Sequence, residues 1–183
     1  MSGAHGHLDH KADKGVALLI SVLALVLAFS ETLGKSAQTA ALASHIEASN
    51  LWAFFQAKTI RQTVMRTAAE ELEVALLKNE AAKKQIETWK KIAERYQSEP
   101  ETGEGRKELA ARAKSAEDNF ARKMAAYHHY ELASAAVQIA IVLASASIIT
   151  TMAALAWTAG ALGLVGVAFC AIGFWFPAAV HLF

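Results

Sequence analysis

Four side chains that could bind a metal ion lie together in the first ten residues of the chain. They are His5, His7, Asp9 and His10, within the polar segment of residues 1–14. Imidazole and carboxylate groups at this spacing are ligands for Zn²⁺, Cu²⁺ or Ni²⁺. A solvated tail has the same composition, and it would lose conformational entropy on binding an ion. Metal binding and a purely solvated tail therefore both stand as interpretations.

The segment YHHYE, residues 127–131, is a second group of titratable side chains. His128, His129 and Glu131 are candidates for a proton or metal site. Adjacent residues on a helix point about 100° apart, so the two imidazoles do not converge on one ion. Tyrosine is typical of the membrane interface, because its ring is apolar and its hydroxyl is polar. The interfacial interpretation of this segment is favoured.

Three cations follow three aromatic residues in the segment NLWAFFQAKTIRQTVMR, residues 50–66. We expect the segment to lie near lipid headgroups, where aromatic rings enter the interface and cations meet phosphates. A buried ion pair between Arg61 and a glutamate is one alternative, and a ligand site is another. The candidate interface or headgroup residues are Trp52, Phe54, Phe55, Lys58, Arg61 and Arg66.

Motifs of catalysis and cofactor binding are missing from the sequence. The chain has no glycine-rich phosphate loop, no GxSxG, no HExxH and no CxxC pair. Its one cysteine, Cys170, lies in an apolar run and has no second cysteine with which to form an internal disulfide. A net charge of +1 gives no global field for nucleic acid. We therefore expect no enzyme, no cofactor and no nucleic-acid partner.

Charge is distributed very unevenly along the chain. Only 19% of the residues are charged, against about 25% in a soluble domain. Residues 15–30 and 136–183 have no Asp, Glu, Lys or Arg, whereas residues 31–135 hold all but four of the 18 basic and 17 acidic residues. This pattern predicts an all-α membrane protein with three transmembrane helices, at 15–33, 132–157 and 161–183. A cleaved signal peptide is the alternative for the first.

The charged insert between the first and second spans has a helical pattern. We expect an amphipathic connector over residues 34–50, after a break at Gly34. Residues 51–131 are predicted to form a long antiparallel helical hairpin (coiled coil), with its turn at 98–105 and Asn79 selecting register or oligomer state. An exposed Asn79 is the alternative, and a tight turn at 158–160 would join the last two spans. The seam of the first arm is Leu51, Phe54, Lys58, Arg61, Met65, Ala68, Leu72, Ala75, Asn79, Ala82, Ile86, Trp89, Ala93 and Tyr96.

The order of these segments is similar to that of a known family. A span ending in SETLGKSAQT (30–39) is followed by IEASNLWAFFQAKTIRQT (46–63), a charged helical hairpin and two closing spans. This arrangement resembles the bacterial domain-of-unknown-function family numbered 4337. The resemblance implies a bacterial, inner-membrane protein with a coiled-coil insert, and it implies no activity.

The sequence predicts a structural or interaction role. We expect a homo-oligomeric scaffold or accessory protein that lies in the lipid bilayer and presents the hairpin to a protein partner. An oligomeric channel or pore is the alternative, followed by metal binding through the histidine-rich tail. Lys35, Arg122 and Lys123 favour a cytoplasmic hairpin in a multi-pass protein of the bacterial inner membrane, while Lys11 and Lys14 argue for the opposite orientation.

Overall fold

The computed structural model describes residues 5–75 and 79–179, with side chains described from Lys14 onward. Within these ranges the chain is helical and has no strand. The helices are α1 (His5–Ala75), α2 (Glu80–Gln97), α3 (Arg106–Thr150) and α4 (Ala153–Trp175). Three of them, α1 from Lys14 onward, α3 and α4, are long and apolar enough to cross a membrane. The all-α prediction and the three candidate spans are confirmed.

The first helix, α1, is uninterrupted, although the sequence led us to expect a break at Gly34 and a separate connector over 34–50. Both expectations are wrong. Gly34 is buried within α1, and a Cβ built on it would lie 3.4 Å from the Cβ of Tyr130 in α3. A glycine inside a helix costs about 1 kcal/mol relative to alanine. Here its missing side chain admits α3 at close range, so packing overrides the weak helix propensity.

The buried residues of α1 follow a seven-residue repeat. They fall on a pattern in which steps of three and four residues alternate, which places them along one stripe of the helix. Half-buried Leu27, Phe55, Met65 and Leu72 lie on the same stripe. We call this stripe the inner seam, and its buried members are Leu23, Ser30, Gly34, Ala37, Ala41, Ala48, Leu51, Lys58, Gln62 and Ala69.

The inner seam differs by one register from the seam that we expected. Positions 51, 58, 65 and 72 belong to both, but the positions between them are 55, 62 and 69, not 54, 61 and 68. Arg61 is therefore exposed, and Gln62 is buried in its place. The error has a physical reason. In two of these three pairs of neighbouring positions both residues are apolar, so hydrophobicity alone does not distinguish the two registers.

Contacts divide the chain into two compact units. The first comprises the described parts of Met1–Ala41 and Ala121–Phe183, and the second is Leu42–Phe120. In the first unit, α1, α3 and α4 pack around a core that contains few residues for helices of this length. Small residues let helix backbones approach closely, as in membrane bundles. The buried core residues of this contact are Leu23, Val137, Ala140, Ala144 and Ala159.

The connection between α3 and α4 lies at residues 151–152 and not at 158–160, so the predicted spans 132–157 and 161–183 are displaced. Thr151 has a φ of 56°, in the left-handed region that ends a helix. The hydroxyls of Thr150 and Thr151 donate to nearby backbone carbonyls, and such bonds compete with helix continuation. At its other end α4 stops at Trp175, two residues before Pro177.

In the second unit, α2 and the start of α3 both run antiparallel to α1. Lys90 of α2 pairs with Glu73, and Ala93 accepts a hydrogen bond from Gln62. On α3, Arg106 contacts the same Gln62. Residues further along α3 contact residues that lie progressively earlier on α1. Since α2 and α3 follow each other along α1, they run in the same direction. The buried core residues here are Ala48, Leu51, Leu109, Ala113 and Ala116.

Because α2 already runs back along α1, the expected hairpin with its turn at 98–105 is wrong. Residues 98–105 instead link two helices that run in the same direction; we call them the linker. Asn79 explains the difference, because its backbone is extended (φ −102°, ψ 117°) and its Oδ1 accepts from the backbone N–H of Ala81. An asparagine in this geometry begins a new helix as an N-cap.

The contact of α4 with α3 gives a test of this packing. A Cβ on Gly166 would lie 2.5 Å from Val137 Cγ2 and 3.2 Å from the carbonyl oxygen of Ala133. Because neither a β-branched side chain nor a helix backbone yields easily, we expect Gly166→Ala to lower the free energy of unfolding by roughly 1–3 kcal/mol. Denaturant titration in mild detergent, followed by circular dichroism, measures this.

Gly160→Ala is the matched control in the same helix. No heavy atom lies within 4 Å of the position that its Cβ would take. We expect this variant to be neutral or slightly stabilising, because alanine has the higher helix propensity. Equal destabilisation by the two substitutions would contradict the packing of α4 described here.

Candidate functional site

Two polar residues of the inner seam, Lys58 and Gln62, are buried in the second unit. Lys58 is 6% exposed and Gln62 is 2% exposed. Burial of an ammonium or amide group is costly unless partners replace water. The partners come from α2, the linker and the start of α3. The whole group, which we call the polar cluster, is Lys58, Gln62, Gln97, Glu99, Glu104 and Arg106.

Gln62 connects α1 with both neighbouring helices. Its Nε2 donates to the carbonyl oxygen of Ala93 at 2.9 Å and to Gln97 Oε1 at 3.2 Å. Its Oε1 accepts from Nη1 of Arg106. Arg106 also donates to Gln97 Oε1 at 3.1 Å, and its guanidinium lies 4.9 Å from the ring centroid of Phe55. One amide therefore fixes how α2 and α3 meet on α1.

Lys58 lies between carboxylates and aromatic rings. Its Nζ is 3.5 Å from Glu104 Oε2 and 3.9 Å from Glu99 Oε2. It also lies 5.3 Å from the ring centroids of Phe54 and Tyr96, close enough for cation–π attraction. A cavity of about 400 Å³ adjoins this ammonium. The expectation of a phosphate partner for Lys58 is therefore wrong, because carboxylates of its own chain occupy that role.

Two carboxylates of the linker region have lowered pKa values. Hydrogen bonding to the Arg95 guanidinium, at 2.5 and 3.2 Å, holds the pKa of Glu99 below its ordinary value. The Ser98 hydroxyl, at 2.6 Å, and the backbone N–H of Glu99, at 3.2 Å, likewise hold the pKa of Glu108 below its ordinary value. Both groups are therefore held as carboxylates where the linker meets α3.

The other residues predicted for the headgroup region divide into two sets. Trp52 donates from its indole N–H to Glu117 at 2.7 Å and packs edge-to-face on Phe55 at 5.4 Å. These two rings are half-buried in the second unit, where they contact residues of α1 and α3. Arg61 and Arg66 are exposed. For these two a lipid contact stays a prediction, and so does an Arg61 pair formed in an oligomer, whereas a buried Arg61 pair within the chain is wrong.

The remaining candidates have separate outcomes. Asn79 is exposed and caps α2, as in the alternative of an exposed position, and its role in oligomer state stays a prediction. The candidate metal ligands His5, His7, Asp9 and His10 have side chains outside the described residues. Among the residues whose side chains are described, no group of three His, Cys, Asp or Glu is placed to hold a metal ion.

In the first unit, His129 of the YHHYE segment lies between α3 and α4. It is 1% exposed and stacks on Phe169 at a centroid distance of 6.2 Å. Neither ring nitrogen has a hydrogen-bond partner in the described part of the chain. Gly173 makes room for it, since a Cβ there would lie 3.0 Å from the Cβ of His129. The imidazole is thus a packing element that retains its hydrogen-bonding capacity.

Sequence reasoning missed Gln62, Gln97 and Arg106, although one signal was present. Gln62 stands four residues after Lys58. A repeat through 55, 58, 62 and 65 alternates steps of three and four residues, just as the expected repeat does. A comparison of both registers would have predicted a buried glutamine. Nothing local in the sequence predicts Gln97 or Arg106, because their partner lies on another helix.

A family model described as "Domain of unknown function (DUF4337)" matches residues 12–176. No curated protein and no solved structure matches the chain.

Lys58 and Arg61 give a matched pair of substitutions on one turn of α1. We expect Lys58→Met to lower the free energy of unfolding by about 2 kcal/mol, because it removes the contacts of a buried ammonium with two carboxylates and two rings. Arg61→Met should change it by less than about 0.5 kcal/mol, since an exposed side chain is altered. Thermal unfolding of both variants in detergent compares them. A larger effect at Arg61 would contradict the assigned register.

The linker carboxylates make stability depend on pH on the acid side. A carboxylate with a lowered pKa in the folded state stabilises the fold above its unfolded pKa of about 4.3. That contribution is lost as pH falls through the lowered folded value. We expect Glu108→Gln to unfold with a shallower acid dependence than the parent chain, measured as melting temperature between about pH 6 and pH 3. Identical slopes would contradict the role given to Glu108.

Proposed function

Because the chain belongs to the DUF4337 family, whose name records no activity, we propose its function from the packing of its helices. We propose that it is a membrane-anchored, homo-oligomeric scaffold that presents residues 42–120 to a protein partner. The candidate spans supply the anchor. The second unit supplies the surface, since it holds most of the charge and consists of three packed helical segments.

The observation that carries this proposal is a second apolar stripe on α1, which the second unit does not cover. Ile46, Ile60 and Val64 are 52%, 65% and 55% exposed. Exposed Ala53 and Ala57 lie at the intervening positions of the same seven-residue repeat. We call this set the outer stripe. Apolar side chains at heptad spacing on an exposed helix are typical of a helix–helix interface.

A second copy of the chain is the partner that best fits the outer stripe. Copies inserted with the same topology have the same orientation in a membrane, so their α1 helices meet in parallel. In a parallel pair each stripe residue faces its own counterpart, and Ile60 would pack on Ile60. Asn50 is exposed at a polar position of the stripe, and an asparagine pair at such a position favours a parallel pair in register.

Charges beside the outer stripe support the same partner and limit the length of the contact. Gln56 and Arg61 flank the stripe and bring no like charges together in a parallel pair. Thr67 and then Glu71 are the next members of the repeat after Val64. Glu71 would face its own counterpart at close range, and like charges destabilise such a contact. We infer that pairing covers residues 46–67.

The proposed location follows the sequence analysis. We place the protein in the bacterial inner membrane as a multi-pass protein, with the second unit on the cytoplasmic side. Lys35, Arg122 and Lys123 beside the spans support this orientation. A pore is less well supported, because the hydroxyls of Ser145 and Ser147 donate to carbonyls of their own helix.

Disulfide crosslinking tests the scaffold and its register together. The chain has one cysteine, so Ile60→Cys in a Cys170→Ala background carries a single thiol. Under mild oxidation in native membranes we expect a covalent dimer, because the two thiols face each other. Arg66→Cys in the same background is the control, since residue 66 is exposed on α1 but lies off the outer stripe. Absence of the Ile60→Cys dimer, or equal crosslinking by both variants, would contradict the proposal.

A further inference from the structure

A pocket of the first unit lies where the apolar runs of α1 and α3 end. It has a volume of about 320 Å³, and its polar lining includes Glu31 and Lys35 of α1 and Tyr127, Glu131 and Ser134 of α3. On each helix the lining residues repeat at steps of three and four, so one face of each helix borders the pocket. This volume is at the lower end of the range of about 300–1,000 Å³ for small-ligand sites.

The sequence places this pocket at the level of lipid headgroups. Glu31 is the first charged residue after the charge-free run of residues 15–30, and Glu131 is the last charged residue before the charge-free remainder of the chain. When the candidate spans lie in a bilayer, such residues stand at the boundary of the hydrocarbon. A molecule in this pocket therefore meets polar groups at one end and the apolar spans at the other.

The charged groups of the pocket are two carboxylates and one ammonium, and its uncharged polar side chains are Ser30, Gln38, Tyr127, Tyr130 and Ser134. Glu31 Oε1 accepts from Gln138 Nε2 at 3.3 Å, and Glu131 Oε1 accepts from the Tyr127 hydroxyl at 3.4 Å. A carboxylate accepts several hydrogen bonds, so both retain capacity for a ligand. The Lys35 ammonium has no ion pair with any described residue.

We propose that this pocket binds the phosphoethanolamine headgroup of a membrane lipid. The primary ammonium of ethanolamine donates to Glu31 and Glu131, and the phosphate accepts from Lys35. A phosphoglycerol headgroup carries only negative charge, so it would meet two carboxylates for one lysine. A phosphocholine headgroup has a quaternary ammonium that donates no hydrogen bond. Charge-assisted hydrogen bonds are roughly twice as strong as neutral ones, and they supply this discrimination.

Native mass spectrometry of the full chain tests the proposal. The protein is reconstituted with equal amounts of ethanolamine, choline and glycerol phospholipids and then released, and the retained lipids are identified. We expect ethanolamine lipid to be enriched roughly ten-fold over the other two. The double variant Glu31→Gln/Glu131→Gln should lose this enrichment. Glu70→Gln, an exposed control in the second unit, should keep it.

Other outcomes would overturn the proposal. They are enrichment of glycerol lipid, equal retention of all three lipids, and unchanged enrichment in the double variant. Displacement of the lipid by an equal concentration of soluble glycerophosphoethanolamine would also overturn it, because the acyl chains would then contribute nothing. Should the double variant lose its helical circular dichroism, Glu31→Gln alone decides the matter by a partial loss of enrichment. The crosslink at residue 60 is read separately, so failure here leaves the scaffold proposal standing.

Discussion

The close approach of helices along the inner seam of α1 is the constraint on which the rest of the structure depends. In the first unit the seam consists mainly of glycine, alanine and serine, among them Ser30, Gly34 and Ala37. Lipid gives apolar side chains no reason to associate, so close backbone packing must hold such helices together. The same repeat continues into the second unit through Ala48 and Leu51, where burial from water adds the hydrophobic contribution.

The polar cluster is where the inner seam departs from small and apolar residues. Two helices must meet on α1 at one point, because α2 ends and α3 begins there. A buried amide at Gln62 satisfies polar groups from both helices at this point, and a buried ammonium at Lys58 pairs with carboxylates of the linker. Leaving either group unpaired would be costly, so the cluster specifies how the linker is placed.

Some of the fold was predictable from the sequence, and the reasons are physical. Long charge-free runs identify candidate spans because charge is costly in hydrocarbon, and the described residues form three helices that are long and apolar enough to cross a membrane. The break at Gly34 was predicted wrongly, because propensity is local whereas the contact with Tyr130 is not. The reversal near Asn79 was missed because an asparagine within a heptad pattern has two roles, a buried polar residue and an N-cap.

The candidate site was less predictable than the fold. The sequence marks residues 50–66 as a candidate site, but it does not distinguish the buried face of this helical segment from its exposed face. Lys58 belongs to the inner seam, Arg61 does not, and the sequence pattern offered both as seam residues. Their difference follows from the choice between two registers that share every second position. That choice is made by partners on α2, the linker and α3, such as Glu104, which lie far away in the sequence.

The most direct test of this account is a cysteine-accessibility scan along α1 from residue 54 to residue 69, in a Cys170→Ala background. The labelling rate of each thiol is measured with a small maleimide on the folded protein. The account predicts minima at 55, 58, 62, 65 and 69, with rapid labelling at 61, and pairing through the outer stripe adds protection at 57, 60 and 64. Minima at 54, 61 and 68, with rapid labelling at 62, would contradict it.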